Sequence, residues 1–207
     1  MKLFVLGATG KTGGTLVAQA VARGHAVTTF GRSPFTGVWD AKILNLSGNP
    51  MNEAELADAL PGHDAVLSVL GTRGLGATSV LVDGARATIV AMRTAAVRRL
   101  VIVSSALLDA HIGLVNRIVG RTVLRHFSSD QRAMEKLVTA SDLDWTILRP
   151  PRMTESAPDE QSSATLDEPP TASGMQITKA EVARVMLDTV ENQRYIRELV
   201  HIRGASL

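Results

Sequence analysis

The stretch Leu3-Phe4-Val5-Leu6-Gly7-Ala8-Thr9-Gly10-Lys11-Thr12-Gly13-Gly14 decides the fold. Leu3 to Leu6 is a short unbroken apolar run, the pattern of a parallel strand buried on both faces. Beyond the glycines, Leu16, Val17, Ala20 and Val21 recur at helical spacing up to Gly24, which stands where a helix C-cap is expected. A strand that breaks into glycine and resumes as helix aims backbone N–H groups and the positive end of a helix dipole at one point. A dinucleotide pyrophosphate suits that point. One glycine makes the tight turn, one lets the backbone approach phosphate, and one lets helix and strand pack closely. The spacing is Gly7-x-x-Gly10-x-x-Gly13, not G-x-G-x-x-G. A glycine triplet alone is equally an ordinary loop; its position between a strand and a helix favours the cofactor.

Outward from that turn, 207 residues predict a single NAD(P)-binding domain over 1–207 with room for a sizeable core. No apolar run reaches membrane-spanning length and the amino terminus reads as a strand, so neither a membrane span nor a signal peptide is expected. The absence of cysteine excludes disulfides, thiol catalysis and cysteine-ligated metal, and fits a cytoplasmic protein. The isoelectric point near 9.3 comes from a net charge of only +2, because little titrates between neutrality and the lysine range. It indicates no nucleic-acid partner.

Apolar runs and helical patterns then alternate, which predicts a Rossmann-type α/β fold with a doubly wound parallel sheet. Strands are expected at Ala26–Phe30, Ala41–Leu46, Ala65–Leu70, Leu100–Val103, Trp145–Leu148 and Leu199–Ile202. Helices are expected over Glu53–Leu60, Ser79–Ala96, Ile112–His126, Ser129–Ala140 and Lys179–Glu191. Residues 154–174, rich in Ser, Pro, Thr, Asp and Glu, read as a surface loop with a short strand. The segment from about 150 to 207 is too short for a second domain and reads as a small carboxyl-terminal substrate lobe.

The end of the second strand meets the adenosine ribose in this architecture, and a carboxylate there favours NAD. Here Phe30-Gly31-Arg32 stands instead. The planar guanidinium of Arg32 suits the 2′-phosphate of NADP, although a solvent-facing loop arginine is the alternative. The missing carboxylate favours NADPH over NADH.

At this point the chain resembles the atypical short-chain dehydrogenase/reductase family. It is most similar to the branch of biliverdin reductase B (flavin reductase), the NADH-flavin-reductase-like and the NmrA-like proteins. The resemblance is carried by Gly7–Gly13, Leu70-Gly71-Thr72-Arg73, Gly84-Ala85-Arg86, Ser104-Ser105-Ala106, Leu143–Pro151 and Ile177–Ala183. It implies that Gly10, Lys11 and Thr12 cradle the pyrophosphate between Gly7, Thr9 and Gly13, and that Arg32 meets the 2′-phosphate. It further implies that Leu70 to Arg73 line the cofactor, that Ser104 and Ser105 lie beside the nicotinamide, and that Pro150-Pro151 closes over it.

Typical members of the wider family protonate an alkoxide with a Tyr-x-x-x-Lys pair. The corresponding positions here are Phe127 and Gln131, neither of which transfers protons. Tyr195 reads as structural. Ordinary alcohol–ketone chemistry therefore loses its acid, whereas hydride transfer to a conjugated acceptor needs only positioning, since solvent can protonate the product. Relatives of the biliverdin reductase B type carry histidine directly after the two prolines; Arg152 stands here, which weakens a tetrapyrrole substrate and offers a cation for an anionic one.

Ser105, Ser104 and His111 are the candidates for donating to the acceptor, with strand caps as the alternative for the serines. Arg117, Arg121 and Arg125 share one helical face and read as solvated surface more readily than as an anion stripe. His25 and His63 read as surface loop residues. No grouping has metal-ligand spacing, so no catalytic metal is expected. Two Trp, one Tyr and four Phe leave few stacking partners, so a flavin would bind weakly. The sequence thus supports an NADPH-dependent reductase of a flavin, quinone or similar acceptor. The alternative is an NADP(H)-binding sensor with little catalysis, acting on a protein partner.

Overall fold

The computed structural model describes residues 1–37, 40–71, 78–106, 125–155, 165–166 and 176–203. The chain runs β1 (Lys2–Leu6), α1 (Lys11–Ala22), β2 (Ala26–Gly31), β3 (Ile43–Ser47), α2 (Glu53–Ala59), β4 (Ala65–Ser68), α3 (Val80–Thr94) and β5 (Arg99–Val103). It continues through α4 (Arg125–Thr139), β6 (Asp144–Arg149), β7 (Arg152–Thr154), β8 (Thr165–Leu166), β9 (Gln176–Thr178), α5 (Lys179–Glu191) and β10 (Glu198–Arg203).

Seven strands pair in parallel in the order β3-β2-β1-β4-β5-β6-β10, and β8 adds antiparallel to the edge of β10. The chain steps outward from β1 to β3, then returns to the other side of β1 at β4. That reversal leaves a crevice beyond the carboxyl ends of β1 and β4, where ligands bind in open α/β sheets.

β1 explains why the sheet is buried on both faces. Leu3 and Val5 point into a core built with Leu16, Val17 and Ala20 of α1 and Val182, Met186 and Val190 of α5. Phe4 and Leu6 point into the opposite core, with Leu56, Leu81, Met92, Trp145 and Ile147. The side chains of Leu3, Phe4, Val5 and Leu6 are fully buried, each stabilising the fold by about 1.5–3 kcal/mol. At the end of α1, Gly24 takes φ +86°, its N–H donates to Val21 O, and the His25 N–H donates to Ala20 O. These two bonds close the helix and turn the chain into β2.

The histidines depart from the sequence reading. His25 is buried, bonded through Nε2 to Glu191 at 2.6 Å and through Nδ1 to the amino terminus at 3.3 Å. His63 is half-buried, bridges Leu60 O and Thr28 Oγ1, and meets Phe4 edge-on at 5.2 Å. Both tie loops to the sheet, so they are structural and not surface loop residues. The break expected between two helices after His126 is also absent, because α4 runs unbroken from Arg125 to Thr139. Tyr195, at φ +57°, packs against the core and offers its carbonyl to Thr146 Oγ1.

The carboxyl-terminal stretch divides. β10 sits in the main sheet and α5 packs on α1, so both belong to the body of the domain. β7 and β9 form a separate parallel ribbon that lies against the glycine turn.

Candidate cofactor and acceptor site

The turn between β1 and α1 is as tight as its glycines suggest. Gly7 adopts φ +85°, and the Gly10 N–H donates to Gly7 O at 3.0 Å. A Cβ on Gly13 would stand 2.1 Å from Gly7 O and 2.7 Å from Ala8 Cα, so only glycine lets α1 approach β1 this closely. No side chain caps α1 and its first turn holds no acidic residue. The starts of α2, α3 and α5 are satisfied. Asn52 accepts from two N–H groups at the start of α2, Thr178 and Glu181 form a capping box on α5, and Asp130 accepts from the Leu81 and Val82 N–H groups on α3. The first turn of α1 is left for an anion.

A cleft of about 790 Å³ runs past that turn. One half is lined by Thr29 to Ser33 at the end of β2 and by the turn itself; the other by Val69, Leu70, Gly71, Val103, Ser104 and Gln131. Lys11, Arg32 and Lys179 line it, and no carboxylate does among the described residues. The uncapped helix, the space a Cβ would fill and the exposed Arg32 fit a phosphate-bearing dinucleotide.

The far half is neutral. Ser104 and Gln131 are 4% and 3% exposed, and neither Ser104 Oγ nor Gln131 Oε1 has a hydrogen-bond partner among the described residues. Each such orphan costs about 1–3 kcal/mol, so a ligand that satisfies them gains correspondingly. Gln131 is firmly held. One residue earlier, Asp130 bonds the start of α3 at 3.1 and 3.0 Å. Four residues later, Glu135 takes a bidentate pair from Arg149 at 2.9 and 2.6 Å. The β5–β6 pairing continues past the strands, with the Ser104 N–H donating to Leu148 O and the Ala106 N–H to Pro150 O.

The ribbon closes the near side. Met153 lines the cleft, its sulfur 3.9 Å from Thr12 Oγ1. Glu155 pairs with Lys11 of the glycine turn and, at 2.9 Å, with Lys179 of α5. Lys11, then Lys179, pulls the Glu155 carboxyl down from 4.5 to about 2.

The structure therefore brings Gly7, Thr9, Gly10, Lys11, Thr12, Gly13, Arg32, Leu70, Gly71 and Ser104 to one cleft. Ser105 lies half-buried beside it, outside the lining. Pro150 is engaged by Ala106, Pro151 is half-buried and Arg152 is exposed; the cleft residue from that turn is Met153. Thr72, Arg73, His111, Arg117 and Arg121 lie outside the described residues, as do the side chains of Arg125 and Phe127. Sequence reasoning missed Asp130, Glu155 and Met153, and dismissed Gln131 for want of a proton. No local signal marked them: Ser128, Asp130, Gln131 and Glu135 are all buried on a helix that packs against the core, and only the tertiary fold shows that.

Fold and cleft together define a dinucleotide-binding protein of Rossmann type. The chain belongs to the NAD(P)H-binding family, whose pattern matches residues 7–193. Similar solved structures share the fold. The oxidoreductase ylbE from Lactococcus lactis superposes with a TM-score of 0.85 at 20% identity, over 100% of this chain and 92% of that one. A short-chain dehydrogenase/reductase from Veillonella parvula in complex with NADP gives 0.80 at 17%, over 97% and 93%. A candidate NADH-flavin reductase from Streptococcus pneumoniae gives 0.79 at 21%, over 99% and 100%.

Proposed function

We propose that the protein is an NADPH-dependent reductase passing hydride to a small conjugated acceptor, flavin ahead of quinone, and that it works in the cytoplasm within the biliverdin reductase B-like branch. The observation that carries this reading is the cleft itself: amides and cations along one half, neutral and apolar groups along the other, without a carboxylate among the described residues.

The N–H groups at the start of α1 would hold the pyrophosphate, Arg32 the 2′-phosphate, and Leu70, Gly71, Val103 and Ser104 the nicotinamide end. Bound there, the nicotinamide supplies hydride. The chain would contribute position: the walls would hold two planar groups together and exclude water from between them. Gln131 at the lysine position and Phe127 at the tyrosine position leave proton delivery to solvent, which suits an acceptor whose conjugation spreads the incoming charge. The NADP complex of the Veillonella protein and the name of the streptococcal one support this reading.

A second reading, an NADP(H)-binding sensor acting on a protein partner, is favoured by the neutral half of the cleft, where the described residues offer only hydroxyl and amide protons, from Thr78, Ser104 and Gln131. One experiment separates the two. NADPH is titrated by fluorescence, and its oxidation is then followed with FMN and with a simple quinone. Binding with turnover is expected. Tight binding without turnover leaves the sensor, and absence of NADPH binding removes both readings.

A further inference from the structure

Resting on the reductase reading, we propose that Gln131 and Ser104 select the acceptor by its hydrogen-bonding edge. They favour a ring carrying adjacent N–H and C=O groups, the lactam or imide edge of a flavin's pyrimidine half, over a ring with carbonyls alone. Both residues are more than nine-tenths buried, both line the cleft, and each carries a buried oxygen with no partner among the described residues. The other buried acids of α4 are already used, Asp130 by the start of α3 and Glu135 by Arg149. These anchors flank Gln131 and fix the stretch of α4 that carries it.

A carboxamide presents an acceptor and a donor side by side, matching the donor and acceptor of an N–H/C=O edge, while the serine hydroxyl rotates to suit either. A quinone offers acceptors only. It would leave the Gln131 oxygen buried and unpaired, and that kind of mismatch discriminates strongly. Charge does not decide here, because Lys11 and Lys179 are engaged by Glu155 beside the glycine turn and Arg32 stands at the end of β2. Gln131 projects from α4, which packs on α3 and β6, farther along the sheet from the glycine turn than β4. This puts it at the acceptor end.

The test compares lumiflavin with 3-methyllumiflavin, in which a methyl group replaces the imide hydrogen, by fluorescence titration of the NADP⁺-saturated protein. Wild type is expected to prefer lumiflavin about tenfold. Gln131→Leu should abolish that preference and lower kcat/KM for lumiflavin about tenfold more than for menadione. Ser104→Ala should weaken both flavins about threefold. Equal wild-type affinity for the two flavins, or no flavin binding, overturns the proposal without needing any variant to fold. A Gln131→Leu variant that weakens NADPH as much as lumiflavin also overturns it, since the carboxamide would then hold the nicotinamide. Preference without NADPH oxidation removes the reductase reading but leaves the recognition intact. Turnover of both flavins at equal efficiency does the opposite.

Discussion

The two halves of the cleft are built from different material. The cofactor half is mostly backbone: a turn, the uncapped end of α1 and glycines that admit close approach. The proposed acceptor half is side chains drawn from the ends of β4 and β5 and from α4, held by bonds between distant parts of the chain. A backbone site depends on local conformation, so damage to it should be abrupt and specific to the dinucleotide. A side-chain site depends on tertiary anchors, so damage there should appear first as lost stability.

The largest effect is expected from Gly13→Ala. The new Cβ would meet two backbone groups that cannot move aside, Gly7 O at 2.1 Å and Ala8 Cα at 2.7 Å. NADPH affinity should fall by more than about a thousandfold, equivalent to over 4 kcal/mol. A titration showing less than tenfold loss would mean that the turn can relax and that the backbone half is not rigid. On the other side of the comparison, Glu135→Gln removes one partner of a buried ion pair whose side chains are 9% and 15% exposed. Such losses cost about 3–5 kcal/mol, or roughly 10 °C in melting temperature at this size. The melting scan should move while the Kd for NADPH shifts little; equal shifts in both would erase the distinction between the halves.

Arg32→Glu comes next. Reversing a charge that would face the 2′-phosphate should weaken NADPH about a hundredfold and NADH less than about threefold. Parallel titrations check it, and equal losses would remove the phosphate role of Arg32.

The same contrast explains what could be read from the sequence. β1, its turn and α1 are contiguous, and the periodicity of Leu16, Val17, Ala20 and Val21 marked the buried face of α1 directly. α5 could be delimited at Lys179–Glu191 because Thr178 and Glu181 form a capping box within four residues. The acceptor half offered no such window. Asp130 caps a helix 48 and 49 residues away, and His25 finds Glu191 across 166 residues, so neither partner leaves a local trace. Residue type and position alone suggested a surface loop for His25 and said nothing of Asp130. Burial reversed that reading, and burial is a tertiary property.

The smallest effect tests how the ribbon meets the cofactor half. Glu155 bridges Lys11 and Lys179, binding the ribbon to the glycine turn, and its side chain is 59% exposed. Its carboxyl is pulled below its ordinary value, so its contribution is fully present above about pH 4.5 and fades as pH falls toward about 2. Solvent and salt screen an exposed pair, so Glu155→Gln at pH 7 should move the melting temperature by no more than about 2 °C. Binding is a separate matter. The carboxylate holds Lys11 toward the ribbon and places a negative charge beside the uncapped end of α1, both of which oppose an incoming phosphate. Glu155→Gln should therefore tighten NADPH about two- to threefold at low ionic strength, and the gain should shrink in 0.5 M salt, where the Debye length is only a few ångströms. A weaker complex would instead mean that Glu155 holds Lys11 where the phosphate needs it, making the ribbon part of the cofactor half.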